Sequence, residues 1–271
     1  MGLVKNALVT GATDGIGRET ARQLLEHGWR VFIHGRSESK AVEQAAALAR
    51  EVHDARATPV WGDFKEMAQV VHLAHQVGVQ SPVLDVLINN AGVYERRRRL
   101  TGDGLEMTMA VNHFAPFLLT QRLAHRLERA SAARIVNVSS IAHQSASLDL
   151  NDLSFERRYE GYQAYAASKL ANILFTVALA KRLAGTHVTV NALHPGVIGT
   201  KLLHAAFAIQ GASVADGART SVYLATSEAV SGLSGRYFVD CREARASRLA
   251  SDEALAEELW RASEQTLAAF L

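Results

Sequence analysis

A chain of 271 residues that is 48% hydrophobic and 21% charged holds enough apolar material for one well-packed α/β domain, or at most two small ones. A formal net charge of +2 excludes the broad basic surface that nucleic acid or an anionic membrane requires. A single cysteine, Cys241, excludes an internal disulfide framework and fits a reducing compartment.

Short β-branched-rich runs alternate with helical patterns along the whole chain. The strands expected are Ala7–Thr10, Arg30–His34, Thr58–Trp61, Asp85–Asn89, Arg134–Ser139, His187–Leu193 and Arg236–Val239. The helices expected are Gly15–His27, Ser39–Asp54, Lys65–Val77, Asp103–Glu128, Tyr162–Leu183, Ser213–Thr226 and Asp252–Ala269. This alternation predicts an α/β fold: a doubly wound, parallel, seven-stranded Rossmann-type sheet with helices on both faces, forming a single domain over residues 1–271. No signal-peptide pattern precedes the first strand, and no apolar run reaches the ~20 residues of a membrane span. A cytoplasmic protein is expected. Two stretches break the rhythm. Residues 141–161 are long and polar. Residues 200–212 follow a Pro-Gly turn and carry Leu202, Leu203, Phe207 and Ile209. Both lie beyond strand ends, where open α/β sheets place ligands, and both are expected to shape a substrate pocket, the second as a mobile apolar lid.

The first strand runs into Thr10-Gly11-Ala12-Thr13-Asp14-Gly15-Ile16-Gly17 and then a helix. Gly11 permits a tight turn at positive φ. Gly15 and Gly17 are expected to bare backbone for a pyrophosphate at the helix N-terminus. The spacing is G-xxx-G-x-G rather than G-x-G-x-x-G, and its place between strand and helix gives it weight. The second strand ends His34-Gly35-Arg36-Ser37, with no carboxylate for a ribose 2′-hydroxyl. Arg36, about 20 residues past the turn, is the guanidinium expected to grip a 2′-phosphate, which selects NADP(H). Arg18 is a weaker helper, and Asp14 opposes phosphate.

Tyr165 and Lys169 stand four apart in a helical pattern and so share a face. An ammonium beside a phenol is expected to lower the phenol's pKa toward neutrality and make it an acid–base catalyst. The set Thr10–Gly17, Asn89-Asn90-Ala91-Gly92, Tyr165-Ala166-Ala167-Ser168-Lys169 and Pro195-Gly196 resembles the short-chain dehydrogenase/reductase family across nearly the whole chain. The runs Asp103–Glu106, Val111–Phe114, Phe117–Thr120, Arg134–Ser140 with Ala142-His143, and Gly235–Phe238 with Cys241, Leu259, Trp260 and Ser263 resemble its retinol-dehydrogenase-like branch.

The resemblance implies an oxidoreductase interconverting a ketone or aldehyde and an alcohol on a small hydrophobic molecule. It places Asp63 and Phe64 near the adenine, Asn90, Ala91 and Gly92 along the adenosine ribose, and Pro195, Val197 and Thr200 at the nicotinamide end. Thr13 and Ile16 belong to its phosphate turn. It makes Tyr165 the proton donor or acceptor and has Lys169 also hold the nicotinamide ribose. Ser140 is chosen over Ser139 to bind the substrate oxygen, because the family uses the second serine of the pair. Asn112 is placed in a water-mediated proton relay with Lys169. The apolar helices over 101–129 and 162–183 resemble those that form dimer faces in this family, so a homodimer or tetramer is expected. Two other readings stay open: a C=C reductase, since protochlorophyllide reductases resemble the same branch, and a non-catalytic NADP(H) sensor. The cationic run Arg96–Arg99 reads as a solvated loop or a site for an anionic group. No metal site is expected. Cys241 reads as a lone buried thiol.

Overall fold

The computed structural model describes residues 4–206 and 210–271. Its strands are β1 (Asn6–Val9), β2 (Arg30–Gly35), β3 (Arg56–Trp61), β4 (Val86–Asn89), β5 (Arg134–Val138), β6 (Thr189–His194), β7 (Tyr237–Val239) and β8 (Arg242–Glu243). They form one sheet in the order β3-β2-β1-β4-β5-β6-β7-β8. β1 to β7 pair in parallel, and β8 pairs antiparallel to β7. The sheet therefore has eight strands among the described residues, not the seven expected, and is mixed rather than wholly parallel. The added strand arises at Asp240 and Cys241, which both take positive φ (48° and 59°) and turn the chain back on itself. Positive φ at both central residues is the signature of a two-residue hairpin. A two-residue strand carries no periodicity, and Asp-Cys lacks the glycine that announces such a turn. Cys241 itself is only partly buried.

The helices are α1 (Gly15–Glu26), α2 (Glu38–Glu51), α3 (Met67–Gln80), α4 (Met107–Met109), α5 (Ala115–Glu128), α6 (Gly161–Arg182), α7 (Lys201–Ala206), α8 (Val214–Thr226) and α9 (Glu253–Thr266). Alternate strand residues feed two cores, as a pleated sheet demands. Leu8, Phe32, Leu87 and Ile135 join α3, α5, α6 and α9 on one face. Ala7, Val9, Val31, Ile33 and Val136 join α1, α2 and α8 on the other. Pro59 lies inside β3, which a proline tolerates because β3 is an edge strand.

The helix expected over 103–128 begins later and is interrupted. Gly104 takes φ +78°, and Leu100 bridges Glu106 in antiparallel fashion, so this stretch is a turn. Glu106 then caps α4 by accepting from the Met109 amide at 2.8 Å. A π-helical turn, Ala110–Phe114, separates α4 from α5 and carries Asn112 at its centre. Such turns often mark functional positions. The apolar second side of α6 is covered from within the chain: Trp260 of α9 packs edge-on to Phe117 (4.8 Å between centroids) and stacks with Phe175 (5.9 Å). No described helix is long and apolar enough to cross a membrane.

Candidate active site

The strand order reverses between β1 and β4, and a crevice of about 840 Å³ opens beyond their carboxyl ends. Its floor is the glycine turn. Gly11 and Gly15 take φ +65° and +55° there. Thr10 ties the turn to β4: its hydroxyl accepts from the Asn90 and Ala91 amides at 2.9 and 3.0 Å. Asn90 answers by donating its side-chain amide to the Thr10 carbonyl at 2.8 Å. Gly17 lines the crevice and has a further reason to lack a side chain. A Cβ there would collide with the Gly11 carbonyl and the Asn90 amide, so its missing side chain makes room for the turn itself. Asp14 caps α1 through the Gly15 amide at 2.8 Å and pairs with Lys201 of α7 at 2.5 Å, so it ties the turn to the segment above it. The Lys201 partner holds its carboxyl below the usual range.

At the other end, α6 presents Tyr165 and, one turn on, Lys169, which are 8% and 3% exposed. Ser140 lines the crevice beside the Tyr165 phenol and acts to lower its pKa. Ser139 is turned away, donating to the Lys169 carbonyl at 2.7 Å. Lys169 Nζ donates to the Val138 carbonyl at 3.0 Å and lies 5.6 Å from the centroid of the Tyr165 ring. Burial pushes the phenol up to about 12 and the ammonium down to about 8. The expected lowering of the phenol is thus reversed, because removal from water outweighs an ammonium aimed at a backbone carbonyl. Asn112 clamps Val93 with both ends of its amide, at 2.8 and 3.0 Å, and donates to Ser168 Oγ at 2.9 Å. A Cβ added to Gly92 would stand 3.4 Å from Asn112 Oδ1 and 3.5 Å from Lys169 Nζ, so this glycine leaves open the space between them.

The crevice brings together Gly11, Thr13, Asp14, Gly15, Ile16, Gly17, Arg36, Asp63, Phe64, Asn90, Ala91, Gly92, Ser140, Tyr165, Lys169, Pro195, Val197 and Thr200 along one wall or another. Asn112 stands just behind it. Arg36 is exposed and lines the crevice at the tip of β2, and Asp63 pairs with Lys65 at 3.3 Å. Arg18 instead forms an ion pair with Glu51, away from the phosphate position proposed for it. The arginine run is divided. Arg96 donates to the Ala205 carbonyl at 3.0 Å and Arg98 to the Ser154 carbonyl at 2.8 Å, so both brace substrate-side loops. Arg99 faces the crevice and Glu95. Residues 141–145 form a 3₁₀ turn capped by Ser140. The lid segment holds α7, with Leu202 and Leu203 facing the crevice, and its base is closed by the Ile198–Ala212 bridge. Phe207 and Ile209 lie outside the described residues.

Several contributors escaped the motifs. His34 holds the glycine turn, as developed below. Asn89 donates to Asn137 at 2.8 Å, and Asn137 to Thr176 at 2.8 Å, a buried polar ladder joining β4, β5 and α6 beneath the site. An asparagine in a strand buried on both faces is a signal that could have exposed this ladder, since a buried amide must find partners.

A doubly wound sheet with a glycine turn at its switch point and serine, tyrosine and lysine across the crevice is the architecture of an oxidoreductase class. The sequence profile described as "short chain dehydrogenase" matches residues 5–211. Human "Retinol dehydrogenase 14" is 40% identical over 96% of this chain and 85% of its own length, and human "Retinol dehydrogenase 12" 39% over 97% and 86%. Among solved structures, an uncharacterized protein from Mycobacterium paratuberculosis superimposes with a TM-score of 0.82 at 32% identity, covering 97% of this chain and 93% of that one. A "Promiscuous Reductase LugOII", described as catalysing a keto-reduction, gives 0.66 at 31%, covering 87% and 95%. The chain belongs to the short-chain dehydrogenase family, in its retinol-dehydrogenase-like branch.

Proposed function

We propose that the protein is an NADP(H)-dependent oxidoreductase that interconverts a carbonyl and an alcohol on a small apolar molecule. The observation that carries this reading is the convergence of Ser140, Tyr165 and Lys169 on one crevice that the glycine turn and Arg36 also line. The crevice fits a dinucleotide. The turn bares backbone at α1, Gly92 leaves space before Lys169, and Arg36 offers a planar fork for a 2′-phosphate where no carboxylate stands.

A dinucleotide held by the glycine turn, Arg36 and Lys169 would supply hydride chemistry at the carbonyl carbon, in either direction. The rest falls to side chains. Ser140 and Tyr165 converge on the substrate oxygen and hold it by two hydrogen bonds. A phenol held up at about 12 is fully protonated at neutral pH, which suits a donor. As negative charge develops on the oxygen, it becomes a stronger base than the phenolate, and Tyr165 Oη delivers its proton. Lys169 then stabilises the phenolate from the same helix face, and Asn112 holds the wall opposite Lys169 through Val93. Tyr94, 5.9 Å from the Tyr165 ring, together with Leu202 and Ala142, gives the substrate an apolar seat.

The similarity to retinol dehydrogenases supports an apolar aldehyde or alcohol as substrate and NADP(H) as cofactor. The test is product analysis with NADPH and a panel of apolar aldehydes and ketones, retinal among them. Alcohol formation matched by NADPH loss is expected. Saturation of a double bond with the carbonyl intact, or tight NADPH binding without any product, would replace this reading.

A further inference from the structure

His34 stands next to last in β2 and is buried, yet both its ring nitrogens and its carbonyl are used. Its Nδ1 accepts from the Gly11 amide at 3.0 Å. Its carbonyl accepts from the next amide, Ala12, at 2.9 Å. Its Nε2 stands 2.9 Å from the Gly62 carbonyl, an acceptor, so the proton sits on Nε2 and the lone pair on Nδ1. The ring stacks on Phe64 with centroids 4.6 Å apart and planes 22° apart. Burial holds the imidazole down to about 4, so this neutral tautomer persists at working pH. From the other side, Asn90 grips the Thr10 carbonyl, and a Cβ on Gly11 would come within 3.0 Å of Ala91. The glycine turn is therefore squeezed between β4 and one imidazole on β2.

We propose that His34 is a positioning residue for the dinucleotide: its side chain fastens the glycine turn, the strand tip that carries Arg36 and residues 62–64 into one rigid seat for the adenosine half of the cofactor. The proposal rests on the reading that the crevice takes NADP(H). His34 lies at the end of the crevice away from Tyr165, so it acts on cofactor affinity and leaves the chemical step to other residues. Leucine at this position keeps bulk but strands the Gly11 N–H and the Gly62 carbonyl, and a buried donor or acceptor left unpaired is costly. Asparagine keeps an acceptor for the Gly11 amide and loses the stack and the bond to Gly62.

The test uses NADPH as the probe, titrated by fluorescence into wild type, His34→Leu and His34→Asn, with kcat measured at saturating NADPH. His34→Leu is expected to weaken NADPH at least ~10-fold and His34→Asn ~3- to 10-fold, while kcat stays within about threefold. NADPH affinity within twofold of wild type in His34→Leu, or losses in kcat that match those in affinity, would overturn the proposal. Should His34→Leu fail to fold, His34→Asn decides: the intermediate loss supports the role and an affinity within twofold of wild type overturns it. A wild-type chain that binds no NADPH sinks the functional reading and this inference together, whereas tight wild-type binding with an indifferent His34→Leu sinks the inference alone.

Discussion

Acid should unfold this protein at an unusually mild pH, because four of its histidines are buried and held neutral, three of them by large shifts. His34, His113 and His194 are 2%, 1% and 8% exposed, and burial pushes them from 6.5 to about 4, 3 and 4. As pH falls through 6.5 the unfolded chain gains a proton at each, while the folded chain gains none until near the lower values. Their contribution is therefore whole above pH 6.5 and is lost progressively below it, at about 1.4 kcal/mol per pH unit per group. Between pH 7.5 and 5.5 the three together should remove ~4 kcal/mol, a large share of the 5–15 kcal/mol typical of a domain. His143, 1% exposed and lowered by burial, adds in the same direction. Glu106, buried and raised, opposes it, since its folded form gains stability as pH falls toward its raised value. Asp14 and Glu19 are lowered from 3.8 and 4.5 and weaken the fold only below this window. Urea unfolding at the two pH values measures the difference. His113→Gln, which cannot titrate, should remove about a third of the slope. A free energy of unfolding unchanged between pH 7.5 and 5.5 would refute the reasoning.

Arg36→Asp should raise the KM for NADPH ~10- to 100-fold and leave that for NADH nearly unchanged; equal effects on both cofactors would show that Arg36 does not read the 2′-phosphate. Lys201→Ala breaks the pair that joins α7 to Asp14, and stopped-flow release of NADP should quicken ~2- to 5-fold, the modest scale of an exposed ion pair. An unchanged release rate would mean that this pair does not restrain the cofactor. Trp260→Ala should cost about 3–5 kcal/mol of stability, read by urea unfolding, because it empties the contact of α9 with Phe117 and Phe175. A loss under about 1 kcal/mol would mean that α9 contributes little to the core.

The sheet and its helices were legible because the central strands are short, doubly buried apolar runs and most helices are bounded by a turn or cap. Parallel pairing followed from the alternation alone. β8 was not legible, since two residues have no period and the turn at Asp240 and Cys241 uses no glycine. The π-helical turn at Asn112 was equally silent, because its residues fit an ordinary helical pattern and differ only in which carbonyl each amide reaches. At the site, Tyr165, Lys169 and the glycine turn stood out by spacing. What stayed hidden was set by three-dimensional burial: the upward push on the Tyr165 phenol, the diversion of Lys169 Nζ to Val138, and the use of both nitrogens of His34. Arg18 shows the converse, since its position beside the turn suggested phosphate and the fold gives it Glu51 instead.

Replacing Tyr165 by phenylalanine removes one hydroxyl and nothing else, so the single-turnover rate of NADPH oxidation by that variant bears on the chemistry more directly than any other quantity. With a ketone that the wild type reduces, the rate should fall ~10²- to 10⁴-fold while NADPH binds as before. A Tyr165→Phe variant that turns over at the wild-type rate would show that the proton comes from elsewhere.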